Sequence, residues 1–421
     1  MRVKIPLWAP WFICFLGIFL IVSPATFGYC GTALAISDLI SGALLLICGW
    51  RLRRSPTAWL CWLATSVGVW LEFAPILLKI EPAVGYLSDT LVGLLVIFAS
   101  FLMTNVEEKK GGEIPDGWSY NPSSFVQRIP VVALTLMCWL LSRYLTAYQL
   151  GFIQTMWEPF FGSGTIDVIT SEISRALPVP DAGIGAFAYT LEFVLGCHGG
   201  SARWRTSPWL VLSFGLLVIP VGLVSILLIT LQPLVVHAWC TVCLATALAM
   251  LLMIMLTIDE VCASLQLLRK CKREGMNLKK VFWEGASCGK EDLSLHKVTL
   301  SSPWRALCKE SVRGCGMPWN LALSALIGVI FMLWPSWGSF SGVLADADHV
   351  IGALIIVFSV VSMAEVIRGA RFVLWPLAIL IVSTAVVSGE GSLLWKHLVV
   401  ALLLSLLALK RGEIKESMQD V

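Results

Sequence analysis

The stretch Val235-Val-His-Ala-Trp-Cys-Thr-Val-Cys-Leu244 sets two thiols three residues apart at the head of an apolar run that continues to about residue 257. At helical spacing such residues share a face, and the positive dipole end of the first turn stabilises a thiolate. In a soluble chain the pair suggests a redox dithiol or half a zinc site. Here it stands where water gives way to hydrocarbon, which points towards a lipid-soluble redox partner, a quinone being the natural two-electron choice. His237, three residues before Cys240, is a candidate to stabilise a thiolate or exchange a proton, or it marks the interface.

Composition agrees with a membrane setting. Of 421 residues, 57% are hydrophobic and 14% charged, and the mean hydropathy is +0.83. So much apolar surface must face lipid, so an all-α, polytopic fold is expected. A formal net charge of +3 is too small for a nucleic-acid surface. Apart from Cys240 and Cys243 the thirteen cysteines are scattered singly, which argues against a disulfide framework of the small secreted type.

An internal repeat organises the flanks. Gly17, Pro24, Asp38 and Gly42 recur with identical spacing as Gly68, Pro75, Asp89 and Gly93, and with one deletion as Gly328, Pro335, Asp348 and Gly352. The first hydrophobic run, residues 7 to 22, is therefore expected to be a repeat helix and not a cleaved signal peptide. Each unit reads as two membrane helices: the Gly packs closely, the Pro ends the first helix, and the Asp and Gly open the second. The Asp is expected to cap that second helix, with a functional carboxylate as the alternative. The pattern, with Ser23-Pro24 and Trp334-Pro335, resembles the SPW-type repeat over roughly residues 8 to 104 and 318 to 411. Its fourth copy, after Phe372, lacks the Pro and Asp.

These readings divide the chain into residues 1–104, an SPW-like four-helix module; 105–127, a polar Gly- and Pro-containing linker; 128–258, a second module; 259–317, a basic segment; and 318–421, a second SPW-like module with a short tail. Apolar runs at about 129–150, 182–196, 208–231 and 236–257 read as four helices of the central module. Residues 259–317 read either as an amphipathic segment on the headgroups or as a solvated linker, with Cys271, Cys288, Cys308, Cys315 and His296 too widely spaced for a zinc site. With twelve helices and a cytoplasmic N-terminus, every Lys and Arg falls inside except Lys79, Arg143, Arg175 and Lys396. That assignment puts both termini in the cytoplasm of a cell whose inner (plasma) membrane holds the chain, with Cys240 and Cys243 at the oxidising outer face.

From about Asn121 to Leu265 the order of features resembles the vitamin K epoxide reductase family: a helix, an outer loop, a helix carrying Gly185-Ala-Phe-Ala-Tyr-Thr-Leu191 and Gly196, a basic turn at Arg203-Trp-Arg205, a third helix, and a fourth opening with Trp239-Cys-Thr-Val-Cys243. The resemblance implies that Cys243 faces a quinone of menaquinone or ubiquinone type, forming a charge-transfer or covalent adduct. Cys240 then shuttles electrons from an outer-side, thioredoxin-like protein dithiol. It also implies that Ser171, ending Val168-Ile-Thr-Ser171, lies under the quinone pocket. Asp181 falls where the family has a polar group bonding a quinone oxygen, with a helix cap as the alternative.

Two positions depart from the family. Residues 151 to 196 contain no cysteine, Thr165 standing where one of two relay thiols is expected, and Ala247 replaces a Tyr that vertebrate members set against the second quinone oxygen. Either an external dithiol reaches Cys240 directly or the module no longer turns over. Arg143, a charge inside an apolar run, is functional, snorkels, or pairs with Glu158 or Asp167. Cys30 is a candidate substitute relay thiol; Cys197, at the far end of its helix, is too distant. The expected function is quinone-linked thiol–disulfide oxidoreduction. The alternatives are a non-catalytic quinone-binding or scaffold protein and, more weakly, a transporter.

Overall fold

In hydrocarbon an unpaired backbone amide has no water to turn to, so runs of about twenty apolar residues resolve as helices. The computed structural model describes residues 6–55, 57–78, 83–103, 111–290, 298–338, 342–389, 391–410, 412 and 414. Among these, ten helices are long and apolar enough to cross a membrane. The protein is an all-helical, multi-pass membrane protein.

The N-terminal part pairs α1 (Ala9–Phe27) with α2 (Ala33–Arg54) and α3 (Ala58–Leu77) with α4 (Ala83–Met103). The repeat glycines make the pairs possible. A Cβ on Gly17 would lie 2.7 Å from the Gly42 carbonyl oxygen, and one on Gly42 2.6 Å from that of Gly17; Gly68 and Gly93 repeat the contact at 2.9 and 2.7 Å. Backbone meets backbone there, so any side chain would force the helices apart. The later pair, α13 (Trp319–Gly338) and α14 (Val343–Val361), uses Gly328 and Gly352 in the same way, a Gly328 Cβ falling 3.0 Å from the Gly352 carbonyl oxygen.

Two expectations for the repeat are corrected. Pro24, Pro75 and Pro335 lie inside α1, α3 and α13 instead of ending them. A proline in the last turn costs one backbone bond, and the helix runs on past it. The aspartates do not cap. Asp38, Asp89 and Asp348 lie more than a turn inside α2, α4 and α14, fully buried, while the Thr32 hydroxyl caps α2 by accepting from the Ala35 N–H. Each carboxyl is bonded within the bundle: Asp38 accepts from Tyr29 Oη at 2.7 Å, Asp89 accepts from Ser88 Oγ at 3.5 Å, and Asp348 meets His397 Nε2 at 3.1 Å. Burial with a partner is how a carboxyl survives at membrane depth.

The central part runs α5 (Phe125–Gln149), the short α6 (Gly164–Ile169), α7 (Asp181–Cys197), α8 (Arg203–Thr206), α9 (Pro208–Leu231) and α10 (Thr241–Arg273). Arg128, near the start of α5, donates to the carbonyls of residues 196 to 200 at and beyond the end of α7, and Gln149, at the end of α5, donates to Asp181 at the start of α7. The two helices thus lie antiparallel over the same depth, although α7 has only 17 residues. The fourth apolar run becomes helical at Thr241, not at residue 236, because Gln232–Val236 widens into a π turn at Pro233 and His237 adopts a left-handed φ of 55°.

No helix breaker stands between Thr241 and Arg273, so α10 runs straight through residue 258. Its far end packs with Trp118, Tyr120, Trp204 and Val281 in one apolar cluster. Trp118 Nε1 donates to Gln266 at 2.9 Å, and Arg203 pairs with buried Glu260 at 2.6 Å. From residue 111 onward the expected linker is therefore packed structure; residues 105–110 lie outside those described. Beyond come α11 (Leu278–Glu284) and α12 (Trp304–Ser311), with Trp283 and Trp304 exposed as an interfacial segment would have them. Cys271, Cys288, Cys308 and Cys315 are free thiols; His296 lies outside the described residues. A 3₁₀ stretch, Glu365–Val373, leads to α15 (Leu374–Ser388) and α16 (Gly391–Leu409).

Candidate active site

Cys240 is the N-cap of α10 and Cys243 lies in its first turn; their sulfurs are joined as a disulfide with Cα atoms 5.3 Å apart. The Cys243 N–H points at Cys240 Sγ, 3.1 Å away, so this sulfur takes up one of the free amides of the helix start. The two thiols face different surroundings. Cys240 is fully buried among Leu145, Ile169 and Met156, whereas Cys243 is partly exposed and lines a cavity of about 130 Å³.

The cavity has apolar walls, Leu145 and Ile229 among them, and polar groups that include Ser171, Ser174, Asp181, Tyr189 and Gln232. Asp181 Oδ1 accepts from Gln149 Nε2 at 2.6 Å, Ser174 Oγ at 2.7 Å and its neighbour's N–H, Ala182, at 2.8 Å. It therefore works as an acceptor that gathers Gln149 and Ser174 at the cavity rim, and also sits at the positive end of α7. Ser171 Oγ donates to the Val168 carbonyl at 2.7 Å. The structure thus brings together Cys243, Asp181 and Ser171 around one space.

His237 is not part of it. Its ring is exposed and bonds back to the Pro233 carbonyl at 3.0 Å. Gln232 takes the place that reasoning from proximity gave to His237: buried, lining the cavity, it accepts from the Cys240 N–H at 3.0 Å. A lone polar residue before Pro233 at the end of an apolar run was the available signal. Ala247 packs in a cluster with Trp239 and Met332, away from the cavity lining.

Arg143 pairs with neither Glu158 nor Asp167. It forms a buried ion pair with Glu72 of α3 and also donates to the Glu72 carbonyl. The correction is physical: at membrane depth the guanidinium takes the carboxylate in the same layer, wherever that lies in the sequence. Asp167 instead accepts from Ser163 Oγ at 2.7 Å. Glu158 binds the start of α10, accepting from the Thr241 N–H at 3.0 Å, the Thr241 and Thr165 hydroxyls, and the N–H groups of Phe160 and Phe161 at 3.1 and 3.2 Å. Burial pushes this carboxyl up, but these donors outweigh it and hold it at about 2. Cys30 is an exposed free thiol on the α1–α2 loop, and Cys197 stands at the opposite end of α7 from Asp181.

The last of the three parts also reaches the site. Trp239 Nε1 donates to Ser336 Oγ at 3.0 Å, and its ring meets His349 of α14 edge-on at 5.6 Å.

Comparison with known proteins bears on both the fold and the site. The vitamin K epoxide reductase family matches residues 129–258, and the SPW repeat domain matches residues 7–103. No curated protein and no solved structure matches the chain. The chain thus carries a central vitamin K epoxide reductase family module beside an SPW repeat module. Such a module supports a membrane-bound, quinone-linked oxidoreductase.

Proposed function

We propose that the protein is a quinone-linked thiol–disulfide oxidoreductase of the inner (plasma) membrane in which Cys240 and Cys243 are the redox couple. The observation that carries the reading is the asymmetry of the pair: Cys243 lines the cavity and Cys240 lies behind it. A flat, mostly apolar quinone head fits a space with apolar walls and a few polar groups at its rim. In the productive direction the Cys240–Cys243 dithiol gives two electrons and two protons to the quinone, forming disulfide and quinol. Asp181 would orient the substrate through Gln149 and Ser174, and Ser171 would line the wall beside them. The quinone is of menaquinone or ubiquinone type, and the dithiol is restored by an outer-side, thioredoxin-like protein.

The reading takes all twelve apolar helices, α7 and α16 included, as spanning. Both termini are then cytoplasmic, because Arg51, Arg53, Arg54, Arg203, Arg205 and the 269–273 cluster lie at the end of the helices away from Cys240. The 318–421 part is taken as a second SPW-like module, on the Gly328–Gly352 contact.

The test is spectroscopic. Protein reduced with a dithiol, then freed of it, is mixed with a ubiquinone or menaquinone analogue while quinol formation is followed; turnover that survives Cys243→Ala ends the proposal. A second reading, a non-catalytic quinone-binding or scaffold protein, is favoured by one observation: Cys240 is fully buried, with Thr165 in place of a relay thiol. In cells exporting dithiol proteins, Cys243→Ala should trap a partner on Cys240 as a mixed disulfide if the first reading holds, and nothing if the second does.

A further inference from the structure

A redox couple whose Cys240 is fully buried needs a way in for electrons on that side, and the loop above it shows where that way is closed. Between α5 and α6 the chain carries Trp157 and Phe160 outward, 64% and 76% exposed, and its apolar anchors, Met156 beside Cys240 and Phe161 against Trp239, are only partly buried. Where it enters α6 it lies hard against the residue before Cys240: a Cβ on Gly164 would sit 2.1 Å from the Trp239 carbonyl oxygen. A segment anchored by half-buried side chains opens at lower free-energy cost than a packed helix unless polar bonds hold it. Here those bonds converge on Glu158, which accepts from Phe160 and Phe161 in the loop, Thr165 in α6 and Thr241 in α10.

We propose that Glu158 is a positioning residue that latches the 151–165 loop onto the start of α10, so that an external protein dithiol reaches Cys240 only when the latch is released. This rests on the reading of Cys240 and Cys243 as the redox couple, but not on quinone turnover. It answers the missing relay in a particular way: with no thiol in the loop to pass electrons, the loop itself must move. In the open form one donor thiolate attacks Cys240 Sγ, the bond to Cys243 breaks, and Cys243 leaves as a thiolate that takes up a proton. The donor's second thiol then displaces Cys240, leaving the couple as a dithiol and the donor as a disulfide, with two electrons and two protons transferred.

The experiment compares how fast the Cys240–Cys243 disulfide of the full-length protein is reduced by dithiothreitol and by reduced thioredoxin, read by maleimide gel shift. Glu158→Ala is expected to raise the thioredoxin rate at least tenfold and the dithiothreitol rate by less, since the small reagent needs a smaller opening. Thr165→Ala, which removes one donor to the latch and keeps the carboxylate, should raise the thioredoxin rate a few-fold; Glu158→Gln should fall between them. Unchanged thioredoxin rates in Glu158→Ala and Thr165→Ala overturn the latch, as does an equal gain for both reagents. Should Glu158→Ala fail to fold, Thr165→Ala and Glu158→Gln decide alone. Quinol formation is followed separately, so a chain that never reduces quinone can still pass or fail this test.

Discussion

The buried pair Arg143–Glu72 joins the central module to the N-terminal one, and its removal has a calculable effect. Glu72 is fully buried and Arg143 is 6% exposed, with Tyr86 and Trp139 rings 5.4 and 5.7 Å from the guanidinium. Replacing Arg143 with Met leaves the Glu72 carboxyl without its cation. Breaking a buried pair from one side costs about 3–5 kcal/mol, which is two to nearly four powers of ten in the unfolding equilibrium at about 1.4 kcal/mol per decade. Removing both charges, as Glu72→Gln with Arg143→Met, should restore most of the loss, because no charge is then stranded. The assay is a double-mutant cycle on unfolding of the purified protein in detergent micelles. A coupling of about 3 kcal/mol is expected. Interhelical hydrogen bonds in membranes average about 0.6 kcal/mol in such cycles, and a coupling no larger than that would refute the claim that this pair binds the modules together.

Three further outcomes follow from particular contacts. Asp181→Ala frees Gln149 and Ser174 from their shared acceptor and should weaken binding of a quinone analogue about tenfold, measured by fluorescence quenching, with the disulfide still forming; unchanged affinity would remove Asp181 from the site. Gly17→Leu puts a side chain against the Gly42 carbonyl and should cost about 1–3 kcal/mol by overpacking, seen as a lower unfolding midpoint. Glu158 has a folded-state pKa of about 2, depressed below the usual 4.5, so its contribution to loop closure is complete above pH 4.5 and lost as pH falls towards 2. Disulfide reduction by dithiothreitol, normalised to its thiolate concentration, should then be flat from pH 8 to pH 5; a rise within that window contradicts the assignment.

Much of the fold is legible in the chain because lipid leaves an apolar run few options. Gly17 and its repeats read correctly as close-packing positions, since only glycine admits two backbones at such separations, whereas Gly42 and its repeats, expected to open the second helix, pack against them from inside it. The aspartates misled for a local reason: taking Pro24 and its counterparts as helix ends starts the next helix too late and puts Asp38 at its cap. Ser171 and Asp181 line one cavity with Cys243, 62 to 72 residues away along the chain. Arg143 could not be read from its neighbours, since Glu72 lies in another helix pair 71 residues upstream. Gln232 was hidden by His237, which is nearer to Cys240 in the chain but points back to Pro233. Nor does periodicity reveal Glu158 as a ligand of α10, because a loop side chain's target is set by tertiary contact alone.

The hydrogen bond from Trp239 to Ser336 has a consequence for how the molecule can be taken apart. The residue next to Cys240 is held by α13 and α14, and Arg143, one position from the cavity-lining Ser142, is neutralised by α3. A fragment cut at the limits of the family match, residues 129–258, would carry an indole with its partner removed, a stranded guanidinium at membrane depth, and a severed α10. The smallest heritable unit of this redox site is therefore wider than the module that bears its cysteines, and the flanking helices belong to its wall.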